Sequence, residues 1–261
     1  MVPGAAEPVP PLGGGVTLDP ARPLQLRHAR GPLTLAVVSI AWLRSQGEDT
    51  HSALSERHLC AEEIAHAATL PLAKRRIEWL AGRLAIKHGV CAYRQRSAGF
   101  SMRTADVRVR AVENGVRAGK PVVNVPVEVG LSHSADFAIA ACGPREIGID
   151  LERSRAMSPL LEDLLAFDTD SRGAHGGGRL QRMPVPLRWA CKEAVLKHFG
   201  VGLRVDSREV VLTGWRADGR FSWTASPELR RRIPDAAGPH FESWAREIDG
   251  YALAVVWRQE P

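Results

Sequence analysis

The chain has 261 residues, of which 44% are hydrophobic, so it permits one large domain or two small ones with a sizeable core. The apolar stretch at 33–43 is too short to span a membrane, and no cationic and then apolar leader is present. We therefore expect neither a membrane protein nor a secreted one. The four cysteines are scattered without a CxxC pair, which argues against a zinc site or a disulfide framework and fits a reducing cytoplasm.

The overall charge of the chain is basic. Lys and Arg number 35 against 29 Asp and Glu, which gives a formal net charge of +6, and a basic protein attracts anions. The sequence contains no basic segment interleaved with aromatic residues, so we expect no nucleic-acid partner. The charge instead predicts a polyanionic small molecule and an acidic protein as partners, although many arginines would serve equally well as solvated surface.

The first half of the chain contains few regular patterns. Residues 1–32 are rich in Pro and Gly and lack periodicity, which predicts a disordered tail. The apolar run at 33–43 predicts a buried strand. Apolar residues recur with helical spacing over 74–88 and predict a helix, and residues 119–128 predict an extended segment.

The second half contains clearer elements. Two apolar runs around the tight Gly143-Pro144 turn predict strands at 137–142 and 147–151. The polar, glycine-rich stretch at 168–186 predicts a flexible loop. Further patterns predict a helix at 187–199, a hairpin of strands 209–213 and 221–224 around Asp218-Gly219, and a strand at 251–257.

A weak internal repeat relates the two halves. Helix 74–88 precedes the strand at 137–141, and helix 187–199 precedes a strand of similar pattern at 251–255. This repeat predicts an α+β fold, a pseudo-twofold pair of similar halves, each a helix packed on an antiparallel sheet. We place the halves at 33–146 and 147–261.

Two charged motifs carry the chemical signal. In Gly148-Ile149-Asp150-Leu151-Glu152 the two acids alternate along a strand and share a face, although they would also suit the solvated face of an antiparallel strand. Glu193 and Lys197 share a helix face, although they would also form a surface pair worth about 0.2–0.5 kcal/mol. Three acids with lysines, and no zinc-type cluster, suit Mg²⁺ holding a phosphate-bearing substrate.

Together, in this order, the motifs resemble the signature of the 4'-phosphopantetheinyl transferase family, G-[IV]-D-x-E followed by W-x-x-K-E-x-x-x-K, and every fixed position is filled. The resemblance implies Mg²⁺-dependent transfer of 4'-phosphopantetheine from coenzyme A to a serine of an apo acyl or peptidyl carrier protein, with release of adenosine 3',5'-bisphosphate. Such activation serves polyketide, nonribosomal peptide or fatty acid biosynthesis. Length and repeat favour the surfactin-synthetase-activating (Sfp-like) branch, a monomer with both halves in one chain, over the trimeric holo-acyl-carrier-protein synthase branch.

The resemblance also implies residue roles at the reacting phosphates. Asp150, Glu152 and Glu193 would hold Mg²⁺ on the pyrophosphate. Glu193, or a base bound near the metal, would take the serine proton. Lys197 would stabilise the leaving phosphate, with Lys192 as a further phosphate contact.

Weaker motifs add a coenzyme A site. Gly119-Lys120-Pro121 resembles the family's G-K-P, and Ser132-His133 resembles its S-H, in which the imidazole contacts a phosphate; a common turn and a structural histidine are the alternatives. Gly82-Arg83 resembles the start of the region that is shared across the family, where a basic residue contacts a phosphate of coenzyme A. For the 3'-phosphate or pyrophosphate we choose Arg76 and Arg83, and a solvated helix face explains them equally well.

The sequence departs from the family in the carrier-docking region. Where relatives have F-x-x-x-E, residues 167–171 end in Ser171, and Val129-Gly130-Leu131 replaces the usual residues before Ser132. Two other functions stay open. A metal-dependent phosphohydrolase of a nucleotide-like anion would use water as the acceptor. A non-catalytic module that binds acidic proteins would not need the three carboxylates.

Overall fold

A computed structural model describes residues 16–28, 32–155, 159, 180–237 and 241–258. These residues form helices and antiparallel strands, joined by turns and short 3-10 segments. The strands are β1 (Leu24–His28), β2 (Thr34–Ser39), β3 (Val109–Ala111), β4 (Pro121–Val123), β5 (Glu128–Ser134), β6 (Phe137–Gly143), β7 (Ile147–Arg153), β8 (Val210–Trp215), β9 (Phe221–Ala225), β10 (Phe241–Ile248) and β11 (Tyr251–Arg258). The helices are α1 (Ile40–Ser45), α2 (Glu48–His58), α3 (Ala61–Thr69), α4 (Ala73–Ala98), α5 (Val185–His198) and α6 (Pro227–Arg232).

Two larger sheets organise the fold. One has the strand order β1-β2-β6-β5 and carries the long helix α4; the other has the order β10-β11-β7 and carries α5. The pairs β3-β4 and β8-β9 form two small separate sheets, and every pairing is antiparallel. The predicted fold class is confirmed: this is an α+β protein with helices on antiparallel sheets. The boundary between residues 146 and 147 stays a prediction.

The core has three parts because the central strands are buried on both faces. Along β6, Ala138 and Ala140 pack under α4, whereas Ile139 points into a cluster shared by both sheets. Ile149 and Leu253 enter the same shared cluster from β7 and β11. A third cluster lies between α5 and its sheet. The alternation along each strand thus divides apolar side chains between the helix side and the shared side.

The described part of the N-terminal segment is ordered. Strand β1 lies within the segment 1–32 and pairs with β2 over its whole length. Val16 and Leu18 are buried in the shared cluster, and the Leu18 amide donates to Asp249 Oδ2 at 2.8 Å. The prediction of a disordered tail is therefore wrong for residues 16–28, because strand pairing and burial there satisfy both backbone and side chains. Residues 1–15 and 29–31 lie outside the described residues.

Other predicted boundaries also changed. The strand predicted at 33–43 ends at Ser39, because the Ser39 hydroxyl accepts from the Trp42 amide and starts α1. The helix predicted at 74–88 continues to Ala98 and ends at Gly99, which has a φ of 62°. The loop predicted at 168–186 ends earlier, since α5 begins at Val185; residues 168–179 lie outside the described residues.

Several predicted elements are confirmed, among them strands β6, β7 and β11, helix α5 and the β8-β9 hairpin. The sequence patterns did not reveal α2, α3 or β10. All four cysteines are free thiols. Among the helices described, none is long and apolar enough to cross a membrane.

Candidate active site

The two charged motifs meet because α5 lies directly on β7. A methyl group added at Gly148 would sit 1.9 Å from the carbonyl oxygen of Ala194 and 2.4 Å from the backbone nitrogen of His198. Only glycine permits this approach between a strand backbone and a helix backbone. The glycine of the first motif therefore brings the acids of β7 beside Glu193 and Lys197 of α5.

Asp150 stands at the centre of a buried hydrogen-bond network. Its side chain is 3% exposed, and its Oδ1 accepts from Ser132 Oγ at 2.9 Å and from Lys197 Nζ at 2.5 Å. Lys197 Nζ also donates to Ser132 Oγ at 3.1 Å. The predicted residues Ser132, Asp150 and Lys197 thus form one cluster that joins β5, β7 and α5.

Two carboxylate oxygens at this site have no hydrogen-bond partner among the residues that the structure describes. They are Asp150 Oδ2 and Glu193 Oε1, and both are buried. Burial raises the pKa of Glu193 to about 7; the charges of Asp150 and Glu152 add to the rise, and Lys197 opposes it. Burial and then the charge of Asp150 also raise the pKa of Glu152. The site therefore holds more negative charge than Lys197 balances.

The acids fit a hard cation that a substrate helps to bind. Across the described residues, no group of three His, Cys, Asp or Glu side chains is placed to hold a metal ion by itself. Mg²⁺ commonly takes one or two protein carboxylates and completes its shell with water and substrate phosphates. The two unpartnered oxygens, on Asp150 and Glu193, match that requirement. Glu152 lies close enough to Asp150 for the charge of Asp150 to raise its pKa, and it accepts a hydrogen bond from the Trp189 side chain.

A cavity of about 440 Å³ opens beside Lys197. Its walls include the predicted Gly119-Lys120-Pro121 turn, Leu131 of β5, and the segment 200–202 after α5. Gly119 has a φ of 89°, which favours glycine. Lys120 Nζ lies 3.3 Å from Glu128 Oε2. The structure therefore brings the G-K-P turn and the end of α5 to one concave surface.

His133 lies next to charges from three elements. It is an exposed residue of β5, yet packing around its ring lowers its pKa; Lys197 and Arg75 lower it further, and Glu78 opposes them. Arg75 Nη1 lies 3.3 Å from Glu78 Oε2 on α4. Arg75 is therefore the arginine of α4 whose charge reaches His133.

Three basic residues predicted to bind coenzyme A contact other groups in the structure. Arg76 donates to the carbonyls of residues 70 and 71, at 2.9 and 3.3 Å, in the chain before α4. Arg83 lies 4.7 Å over the ring of Trp79 and 3.7 Å from Glu63. Lys192 is fully buried, and its charge acts on Asp206. The coenzyme A contacts predicted for Arg76, Arg83 and Lys192 therefore stay predictions, and the contacts that the structure shows for these side chains are different ones.

The packing of α4 on β5 explains why Arg75, and not Arg76, lies near His133. A methyl group added at Gly82 would meet Leu131 of β5 at 3.1 Å, so the face of α4 that carries Gly82 is the face towards β5. Arg75 precedes Gly82 by two helical turns and shares that face, whereas Arg76 is rotated away from it. Glu78 lies on the same face, three residues after Arg75 and four residues before Gly82.

Part of the chain is similar to a solved structure. No family model matches the sequence, and no curated protein is significantly similar to it. Among solved structures, the chain is similar to a holo-(acyl-carrier-protein) synthase from Bacillus anthracis str. Ames in complex with CoA (3',5'-ADP). The two are 24% identical, the match covers 42% of this chain and 91% of that chain, and the TM-score is 0.33. This similarity does not establish the family of this chain.

Proposed function

We propose that this protein transfers 4'-phosphopantetheine from coenzyme A to a serine of an apo acyl or peptidyl carrier protein and releases adenosine 3',5'-bisphosphate. The supporting observation is the pair of unpartnered, buried carboxylate oxygens on Asp150 and Glu193 beside Lys197, next to a cavity walled by the G-K-P turn. Carboxylates that lack partners suit a cation, and a cation with lysines suits phosphates. The two sequence motifs that resemble the transferase signature contain Asp150, Glu193 and Lys197.

Asp150 and Glu193 would hold the Mg²⁺ through their unpartnered oxygens, with Glu152 beside them and water and substrate phosphates completing its shell. When bound, this ion would offset the negative charge of the coenzyme A pyrophosphate. Ser132 and Lys197 bind one oxygen of Asp150, and within the described part of the chain the other oxygen accepts no hydrogen bond, so it could face a cation.

In the transfer, the carrier serine oxygen forms a bond to the β-phosphorus, and the bond from that phosphorus to the bridging oxygen breaks. Glu193, or a base bound near the metal, would accept the serine proton. Lys197 would contact phosphate oxygens on which charge develops, because it lines the cavity and its ammonium group lies beside Asp150.

Coenzyme A would be held by residues along the cavity and beside it. Lys120 and His133 would contact its phosphates, with Gly119 and Pro121 shaping the turn. Arg75 replaces Arg76 and Arg83 as the proposed basic residue of α4, because its charge acts on His133. Lys192 has no part in the proposed contacts, since it is fully buried.

Mass spectrometry of a purified apo-carrier protein, incubated with this protein, coenzyme A and Mg²⁺, tests the proposal. The carrier should gain one phosphopantetheine group. Glu193→Gln should abolish the gain, whereas Glu56→Gln, an exposed change on α2, should leave it intact. The proposal fails if several apo-carriers stay unmodified while a known transferase modifies them. Release of phosphate or adenylate without a carrier would favour the phosphohydrolase.

The Sfp-like branch and the monomeric state belong to the same proposal. Their support is that one chain contains two helix-on-sheet units, α4 and α5 each on an antiparallel sheet. Light scattering of the purified protein should give the mass of one chain. A trimer that dissociates together with loss of activity would instead favour the other branch.

A further inference from the structure

Strands β5 and β7 belong to different sheets but run side by side. A methyl group added at Gly130 of β5 would lie 3.1 Å from the carbonyl oxygen of Ile147 and 3.5 Å from the nitrogen of Ile149, both in β7. The far edge of β7 is paired with β11. The line between β5 and β7 is therefore the seam between the two sheets, and the acids of the proposed site lie on it.

Two serines of β5 cross this seam in the same way. The Leu151 amide donates to Ser132 Oγ at 3.2 Å, and the Arg153 amide donates to Ser134 Oγ at 3.1 Å. Ser132 Oγ donates to Asp150 Oδ1 at 2.9 Å. Ser134 Oγ makes a longer contact, at 3.5 Å, to an oxygen of the next acid, Glu152. We name Ser132 and Ser134 the serine ladder.

The chemistry of the serine hydroxyl fixes the direction of the hydrogen bond between Ser132 and Asp150. A serine hydroxyl has one proton and two lone pairs. Ser132 Oγ accepts from the Leu151 amide and from Lys197 Nζ, so its proton is left for Asp150 Oδ1. Asp150 Oδ1 accepts both this bond and the bond from Lys197 Nζ. Asp150 Oδ2 is buried and has no hydrogen-bond partner among the described residues.

We propose that Ser132 and Ser134 are positioning residues, which orient the carboxylates of Asp150 and Glu152 and tie that orientation to the seam between the two sheets. The amide bond fixes each hydroxyl oxygen, and the hydroxyl then directs its proton to the acid. The inference rests on the proposed function in treating these acids as the cation site. It adds a role for Ser134, and it gives Ser132 a task on Asp150 in place of a contact with coenzyme A.

The functional test compares Ser132→Ala, Ser134→Ala and Ser134→Thr with Ser222→Ala, an exposed strand serine of the β8-β9 hairpin that serves as a matched control. Loss of a group that orients a ligand typically costs about 10–100-fold in metal affinity or activity. Each ladder alanine should therefore raise the Mg²⁺ concentration for half-maximal transfer about tenfold or more, with the KM for coenzyme A little changed. Ser134→Thr keeps the hydroxyl and should restore the wild-type value.

Amide hydrogen exchange supplies a readout that needs no activity. Ser134→Ala should speed exchange at Arg153, and Ser132→Ala at Leu151, while exchange at Ile149 stays as in the wild type. A serine that only fills space would not give this residue-specific pattern. Wild-type exchange at Arg153 in Ser134→Ala would overturn the proposal.

A double-mutant cycle in urea then tests the link to the acid. Ser132→Ala and Asp150→Ala, combined, should shift the unfolding midpoint by clearly less than the sum of the single shifts, because each single change removes the same bond. Additive shifts would overturn the positioning role. If the wild type transfers nothing to any carrier, the proposed function fails, and the exchange and cycle results still decide whether the ladder holds the acids.

Discussion

Gly148→Ala should both destabilise the protein and disable the site. The added methyl group would lie 1.9 Å from Ala194 O, whereas real methyl contacts are essentially never closer than 3.0 Å. The difference, about 1.1 Å, has to come from moving α5 away from β7, because both sides of the clash are backbone. Overpacking that cannot relax costs about 3 kcal/mol or more.

The same movement would displace Glu193 and Lys197, which α5 carries, from Asp150 on β7. A misplacement of about 1 Å at reacting groups can cost about 10²-fold in rate. For a chain of this size, a loss of 3 kcal/mol lowers the melting temperature by about 6–12 °C. We therefore expect a lower melting temperature and, in the folded fraction well below it, a transfer rate about 100-fold lower.

Calorimetry and the carrier mass-spectrometric assay measure the two effects. Gly47→Ala is the matched control, because a methyl group there meets nothing within 4 Å and the backbone φ of −77° suits alanine. As an N-cap change it should cost less than about 1 kcal/mol and leave transfer unchanged. If Gly148→Ala has the melting temperature of the wild type and keeps full activity, the close contact of α5 on β7 is refuted.

Three further outcomes are expected. Leu18→Ala should cost about 2–5 kcal/mol in urea unfolding, because Leu18 is buried in the shared core; no loss would mean that this segment is dispensable. Burial lowers the pKa of His88 to about 4, so the unfolded chain binds the proton more tightly than the folded protein does. The free energy of unfolding should therefore be highest above pH 6.5 and fall by up to about 3 kcal/mol as the pH drops towards 4. His88→Gln should flatten that pH profile. Lys120→Ala should chiefly raise the KM for coenzyme A, about tenfold, whereas Lys197→Ala should chiefly lower kcat, about 100-fold; steady-state kinetics with the reverse pattern would exchange their roles.

The sequence indicated the central part of the site because its signals are local. Asp150 and Glu152 alternate along a strand, and Glu193 and Lys197 are one helical turn apart, so the geometry within each element fixes which side chains share a face. Apolar runs and a turn around Gly143-Pro144 were enough to predict β6 and β7 in the same way. These inferences needed no knowledge of what lay opposite.

The sequence missed features that depend on a distant partner. Leu18 lies in a segment without periodicity, and it is ordered because the shared cluster buries it and Asp249 binds its amide. Arg75 and Arg76 are adjacent in the chain, and only the packing of Gly82 against Leu131 decides which of them faces β5.

The sequence by itself thus determined the α+β class, the main strands and helices, and the identity of the acids and lysine that meet at the site. The tertiary structure alone decided that Lys192 is fully buried, that Arg75 is the arginine near His133, and that two serines of β5 hold the acids of β7. The physical reason is that periodicity acts within one element. The contacts of a side chain across a seam depend on which remote element packs there and on how closely a glycine lets it approach.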